Sequence, residues 1–419
     1  MILLGIILLL LALLGAPLFA IIAGSAFYSY YQEDIDLAAL AIEFFSLAEM
    51  PVLLAIPLFT FAGYLLSESE APSRLVRLTQ ALLGWMPGGL AIVSLAACAF
   101  FTAFTGASGV TIIALGAILY PALKQAGYPE KFNLGLVTSA GSLGLLFAPS
   151  LPLILYGIVA REPIDDLFLA GILPGMVMLA MLAGWSLWVS RGSKQELIPF
   201  SGKRVFAALK ESAWELPLPI VVLGGIYSGY FAVSEAAAVT ALYALIIEVG
   251  ILREIKLSAL PGIMRESMLL VGGILIILGV SLASTNIMID AGVPQQLLEW
   301  VSGLVDSKTS FLLLLLVFLL ILGAILDIFS ALVLVVPLIL PIAAQYGVDP
   351  IHLGIVFLAA MQLGYLTPPV GLNLFIASYR FERSITEVYS ATFPFLVILL
   401  ASVVVITFWP QLSLVFLSR

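Results

Sequence analysis

Long apolar blocks separated by short polar stretches dominate this chain. Residues 267–284, 311–326 and 388–408 hold almost no charge, as a lipid-facing helix requires. A membrane β-barrel would instead alternate apolar and polar positions in segments of about ten residues. The pattern therefore predicts helices. Two short ones, 2–14 and 16–31, are parted at Gly15-Ala16-Pro17, because proline breaks an apolar helical run. An acidic loop, Glu33-Asp34-Ile35-Asp36, leads to an apolar segment at 51–66 and an amphipathic stretch at 73–87. Pieces at 88–104 and 109–123 flank Thr105-Gly106-Ala107-Ser108. Longer spans are expected at 132–160, 167–190, 216–231, 234–251 and 267–288. A second amphipathic stretch at 294–306 precedes the closing pieces at 311–326, 329–346, 351–378 and 388–409.

Basic residues orient these elements, since loops on the cytoplasmic side collect Lys and Arg. The largest cluster, Arg191, Lys194, Lys203, Arg204 and Lys210, lies in the loop 191–210. With that loop inside, 14 of the 17 basic residues fall inside and 3, Arg161, Lys308 and Arg419, fall outside. The count closes only if 88–123 and 311–346 are re-entrant hairpins that return to the side they entered.

Composition narrows the classes further. Of 419 residues, 62% are hydrophobic and 10% charged, against about a quarter charged in a soluble domain, so water could not solvate the surface. The net charge of −8 argues against nucleic acid as a partner. Cys98 and His352 are each the only residue of their kind, which excludes an intrachain disulfide, a cysteine metal cluster and a histidine metal site. No His-Glu pair, Gly-x-Ser-x-Gly elbow or Asp dyad appears, so an enzyme is not expected. His352, just after Asp349-Pro350, reads as a loop residue. The first helix lacks a basic leader and a small-residue cleavage site and reads as retained.

The two halves resemble each other at a shift near 220 residues: Pro121 with Pro341, Gly127 with Gly347, Gly144 with Gly364, Pro149 with Pro369, Pro174 with Pro394. With the orientation above, the first hairpin enters from the cytoplasm and the second from outside, so the repeats are inverted. The chain accordingly reads as an all-α polytopic membrane protein. Residues 1–72 and 191–290 supply scaffold helices and the cytoplasmic loop, and 73–190 and 291–419 supply the two repeats.

Both long spans carry a proline-centred break, Phe147-Ala148-Pro149-Ser150 and Leu366-Thr367-Pro368-Pro369-Val370-Gly371-Leu372-Asn373. A broken helix at membrane depth frees carbonyls and amides, which lipid does not tolerate unless they are buried in protein or line a polar cavity. Freed carbonyls and the hydroxyls of Ser150 and Thr367 can hold a hard cation such as Na⁺, while half-helix N-termini favour an anion. The hairpin tips, Thr102 to Gly109 with Thr111 beyond, and Gly323 to Ser330, stand in register with the breaks. Asp327 is the one acid in the run 311–342, and an ionisable residue at such depth is a functional candidate. Glu235 and Glu248 sit near helix ends and read as interfacial.

FTGASGVTIIALG at 104–116, GSLGLLFAPSLPLILYGIVA at 141–160 and QLGYLTPPVGLNLFIAS at 362–378 resemble the large membrane subunit of tripartite ATP-independent periplasmic transporters. The family is called DctM-like, and the similarity runs essentially the whole length. One departure is visible: the family's first break usually carries a double proline, whereas here Ala148 precedes Pro149. The resemblance implies an elevator-type, Na⁺-coupled importer in the bacterial inner membrane. A periplasmic binding protein would deliver its substrate, usually a small organic acid, and a small four-helix subunit would brace the scaffold. By position it implies Na⁺ ligands around Gly106, Ser108, Ala148, Pro149 and Ser150, and around Asp327, Ser330, Thr367, Pro368 and Gly371. Substrate would lie between the tips, near Thr105, Thr111 and Asn373. A stand-alone carboxylate/Na⁺ symporter of the divalent-anion type is the nearest rival, and a channel is further off, since no filter motif repeats around a pore.

Overall fold

A computed structural model describes residues 7, 8, 10, 11, 14–86, 88–191 and 199–417, and every regular element among them is helical. The expected helix 2–14 lies mostly outside the described residues, as do Lys194 and Arg419. Beyond Pro17 the chain runs through α1 (Leu18–Gln32), α2 (Ala38–Ser46), α3 (Ala55–Glu68) and α4 (Ala71–Leu83). The first hairpin is α5 (Gly89–Thr105) and α6 (Ser108–Gln125). The first broken helix is α7 (Glu130–Ala140), a 3₁₀ turn at Leu143–Leu146 and α8 (Leu151–Ala160), followed by α9 (Ile164–Ser190). Then come α10 (Gly202–Glu211), α11 (Pro217–Tyr227), α12 (Val233–Leu245) with a π turn at Ile246–Ile251, and α13 (Leu260–Asp290). The second unit repeats the order: α14 (Val293–Ser302), hairpin α15 (Lys308–Gly323) and α16 (Ile328–Gln345), broken helix α17 (Pro350–Gly364) and α18 (Leu372–Phe381), and α19 (Ile385–Phe408), before a last turn α20 (Gln411–Leu414).

Among the described residues seven helices are long and apolar enough to cross a membrane, eight if the α7–α8 pair, bent by 42°, counts as one span. Two elements depart from the sequence expectation. α2 fills part of the stretch between the acidic loop and residue 51, and α10 occupies the basic loop. Both are short. α10 is amphipathic and packs on α4, so tertiary contact stabilises a helix too brief to hold alone. His352 is also corrected. It lies in the first turn of α17, fully buried, its Nδ1 3.2 Å from the Ser413 hydroxyl and its Nε2 3.2 Å from the Thr407 carbonyl. A neutral ring that meets two partners is compatible with burial.

The repeat has a local physical basis. The outer helices of both hairpins end in the same Schellman motif, with Gly127 at φ +82° and Gly347 at φ +69°. The amides of Tyr128 and Val348 reach back to the carbonyls of Leu123 and Ala343 at 3.1 and 3.0 Å, and both side chains are buried. Only glycine adopts that left-handed turn without strain, which is why this pair recurs at the 220-residue shift. Gly144 and Gly364 recur for another reason. A Cβ on Gly144 would lie 2.2 Å from the Ala99 carbonyl oxygen in α5, and one on Gly364 would lie 2.5 Å from the Gly323 backbone in α15. Each broken helix thus approaches the inner arm of its own hairpin backbone to backbone.

Packing between the units is reciprocal. α6 lies on α18, and the corresponding α16 lies on α8. In the same way α7 packs on α19 and α17 on α9. α1, α2 and α3 gather around α13, and α12 packs on α3.

Candidate functional site

The site is built where helices stop. α6, α8, α16 and α18 each begin at a tip or a break, after Ala107, Ser150, Asp327 and Gly371, while α5, α7, α15 and α17 end there. Four N-termini offer unpaired amides and partial positive charge, and four C-termini offer carbonyl oxygens. Apolar sequence makes the helices, and Gly and Pro interrupt them, so the interior of this bundle is polar through its backbone.

The first tip is closed and buried. Gly106 takes φ +64°, and a Cβ there would meet Leu151, the first residue of α8, at 2.4 Å. The tip therefore rests on the first break. Ser108, at the start of α6, donates from Oγ to Oδ1 of Asn373 in α18 at 2.7 Å, and Asn373 Nδ2 lies 3.5 Å from the Thr138 carbonyl. Thr111 and Thr102 pair through their hydroxyls at 2.7 Å, and Thr102 also reaches the Gly141 carbonyl at 2.9 Å. Ser150 donates to the Leu145 carbonyl at 2.6 Å, a bond that closes the break on itself. Thr105 is fully buried, and its hydroxyl oxygen has no hydrogen-bond partner; Ser139 is in the same position. Ala148, half-buried, and Pro149 join through a cis peptide bond.

The second tip is more open. Asp327 is exposed and caps its own helix: Oδ1 accepts from the amides of Phe329 and Ser330, both at 3.0 Å, and Oδ2 accepts from the Ser330 hydroxyl. The tip is tied to the second break by the amide of Ile328, which donates to the Tyr365 hydroxyl at 2.8 Å. The amide of Gly371 donates to the Ala324 carbonyl at 3.3 Å. Thr367 folds its hydroxyl back to the Leu363 carbonyl at 3.1 Å. Pro368 and Pro369, joined by a cis peptide bond, are exposed, and the Pro369 carbonyl accepts from Tyr389 at 2.8 Å.

Each tip therefore meets its own break, and Asn373 links the second break to the first tip. Sequence reasoning proposed Thr105, Ser108, Thr111 and Asn373 and named Thr102 only as the start of the first tip, but passed over Thr138, Ser139 and Tyr365. Hydroxyl groups clustered in the otherwise apolar runs 93–105 and 132–160 were the available signal. No three His, Cys, Asp or Glu residues converge among the described residues; the oxygen atoms at the tips and breaks are backbone carbonyls, Ser and Thr hydroxyls, the Asn373 amide and the Asp327 carboxylate, a hard donor set.

A cavity of about 700 Å³ opens beside the first hairpin, between α3, α6 and the start of α13. Val110, Ile113 and Ala114 line its hairpin wall, and Glu68, Glu254, Lys256 and Arg265 line its rim. Val110 is two residues from Ser108, so the cavity reaches the neighbourhood of the first tip from the end that carries the basic loops.

Comparison with known proteins agrees with this architecture. The family model for the DctM component of the tripartite ATP-independent periplasmic transporter matches residues 4–412. The C4-dicarboxylate TRAP transporter large permease protein DctM of Pseudomonas aeruginosa is 35% identical, over 90% of this chain and 88% of its own length. The ectoine/5-hydroxyectoine large permease UehC of Ruegeria pomeroyi is 30% identical, over 96% of this chain and 95% of its own. Among solved structures, the Alcanivorax borkumensis YdaH transporter superimposes with a TM-score of 0.57 at 15% identity, covering 90% of this chain and 88% of that one. That likeness speaks to the fold alone.

Proposed function

The chain belongs to the DctM family of tripartite ATP-independent periplasmic transporters, and from that premise we propose that it imports a small organic acid across the bacterial inner membrane, driven by Na⁺. A periplasmic binding protein hands over the acid, and a small four-helix membrane subunit braces the scaffold. The observation that carries this reading is the bond from Ser108 to Asn373, which joins the first hairpin tip to the second broken helix. It brings two half-helix N-termini, those of α6 and α18, side by side, since the two helices run in the same direction with Gly109 against Ile376 and Gly116 against Phe381. Such paired N-termini favour a carboxylate without a basic residue, and the chain places no Lys or Arg on either tip.

Na⁺ would be held by carbonyls and hydroxyls around Gly106, Ser108 and the 148–150 break, and around Asp327, Ser330 and the 367–371 break. Its binding beside the N-termini would supply the positive charge that an incoming acid needs. Thr105, with an orphaned hydroxyl, Thr111 and Asn373 lie where the acid would sit. The cavity along α6 fits an arrangement open to the cytoplasm, and an elevator movement of the hairpins and broken helices against α1–α3 and α13 would carry the site across.

Uptake by proteoliposomes tests the reading. Transport should require the cognate binding protein and an inward Na⁺ gradient together, and should ignore ATP. Equal uptake in Na⁺-free choline buffer would overturn the Na⁺ coupling, and uptake without the binding protein would overturn the tripartite arrangement.

A further inference from the structure

The helix α4, which leads into the first hairpin, is anchored by a buried charge cluster that the transport site does not use. Arg74 is 6% exposed. Its Nε donates to Glu215 Oε1 at 2.6 Å, and Nη1 donates to Glu254. Glu254 also accepts the Glu70 amide at 2.8 Å. A third acid, Glu248, lies 3.7 Å from Arg74 Nη2. The sequence places Glu248 near a helix end, which suggests an interfacial residue; in the structure it is 1% exposed, turned inward by the π turn after α12. Glu235, by contrast, is exposed and caps α12 through the Ala232 amide at 2.9 Å.

Charge does not balance here. One guanidinium faces three carboxyl groups, and neither oxygen of Glu248 accepts a hydrogen bond. An ionised carboxylate stripped of water and left without donors is among the costliest groups to bury. Two of the groups that face it add negative charge, Glu215 from the approach to α11 and Glu254 from the loop behind it, while Arg74 of α4 is the cation among them. The hydroxyls nearby are neutral and engaged elsewhere: Tyr243 donates to the Trp214 carbonyl at 2.8 Å and Ser69 to the Leu66 carbonyl at 3.0 Å. A bound metal ion is not the remedy, since no three acids among the described residues converge closely enough to hold one.

We propose that Glu248 is a proton-binding site, carrying a proton at neutral pH and donating it as a hydrogen bond to Glu254, so that three acids can share Arg74 at the base of α4. The environment of Glu254 fits. Burial alone would raise it, yet the Arg74 guanidinium, the Glu70 amide and the Glu248 carboxyl together hold it below the ordinary carboxylate range. Loss of the proton to water leaves a third negative charge on the cluster and loosens the hold on α4. The folded protein binds one more proton here than the unfolded chain at neutral pH, so the anchor weakens as pH rises.

Infrared spectroscopy of the purified full-length protein tests the assignment, with Glu248→Gln as the neutral isostere. The wild-type minus Glu248→Gln difference at neutral pH should contain the carbonyl band of a buried protonated carboxylic acid. Raising the pH should convert that band into carboxylate absorption. A difference that shows only ionised carboxylate overturns the proposal. Thermal unfolding supplies a second readout: the wild-type midpoint should fall as pH rises above neutral, and that of Glu248→Gln should stay level. Parallel pH profiles overturn it, as does a Glu248→Gln protein that fails to fold, because the negative charge would then be required. A wild-type midpoint raised by Na⁺ with no protonated-acid band would assign a cation instead and would equally overturn it.

Discussion

The Ser108 hydroxyl and the Asn373 side chain, 265 residues apart, meet at 2.7 Å and join the first hairpin to the second broken helix. Under the 220-residue shift the corresponding positions are Ile328 and Leu153, both apolar and buried. The repeat is therefore symmetric in backbone and asymmetric in chemistry at this point. Truncating Ser108 to Ala leaves the Asn373 oxygen buried without that donor, a loss worth about 1–3 kcal/mol. Uptake by Ser108→Ala in proteoliposomes should fall on the order of tenfold or more, with protein yield and gel-filtration profile preserved. Unchanged uptake would remove this contact from the mechanism.

Asp327 invites a paired comparison. Asparagine keeps an N-cap acceptor and loses the charge, whereas alanine loses both, at a cost of about 1 kcal/mol for the cap. If the carboxylate helps to hold Na⁺, Asp327→Asn should raise the Na⁺ concentration for half-maximal uptake by about tenfold, or about 1.4 kcal/mol. Should Asp327→Asn behave as wild type while Asp327→Ala loses Na⁺ and substrate dependence together, the residue shapes the tip and does not bind the ion.

The close glycines give a stability prediction. At Gly364 an added methyl meets backbone and not a side chain that could turn aside. Gly364→Ala should push α15 from α17, costing about 1–3 kcal/mol. A lowered unfolding temperature and a smaller monodisperse fraction would report it. Gly347→Ala, which meets open space but holds φ +69°, should cost less and act through strain alone.

Cysteine labelling in cells tests the orientation. Lys203→Cys and Lys124→Cys should react only from the cytoplasmic side, and Asp165→Cys only from outside. Reaction of Lys124→Cys from outside would mean that the first hairpin crosses the membrane and does not return.

The order of helices, both breaks and both tips were legible because lipid leaves few alternatives to helix and because Pro and Gly punctuate an apolar chain unmistakably. α10 was hidden by its polarity: its charged residues, such as Arg204, read as solvated loop, and only contact with α4 makes the segment helical. Glu248 was misread because distance to a helix end says nothing about which way a π turn faces the side chain. The pairing of Ser108 with Asn373 could not be read at all. Nothing local in either segment names a partner in the opposite half, and the link exists only once α18 lies along α6.

Anchorage of α4 settles where the first hairpin can turn. Arg74 is held by Glu215 and Glu254, and the half-exposed Arg77 meets Glu211 at 2.9 Å, so the opening turns of α4 are tied to the segments around them chiefly through Arg74. Any swing of α5 and α6 relative to α3 must then be absorbed after Leu83. There the chain turns through Gly84, Gly88 (φ +78°) and Gly89, packed so closely that a Cβ on Gly89 would lie 2.1 Å from the Leu83 carbonyl oxygen. If the hairpin moves as proposed, α4 serves as a rod fixed at one end, and the bend that lets the hairpin turn has to form in the short segment between Leu83 and α5.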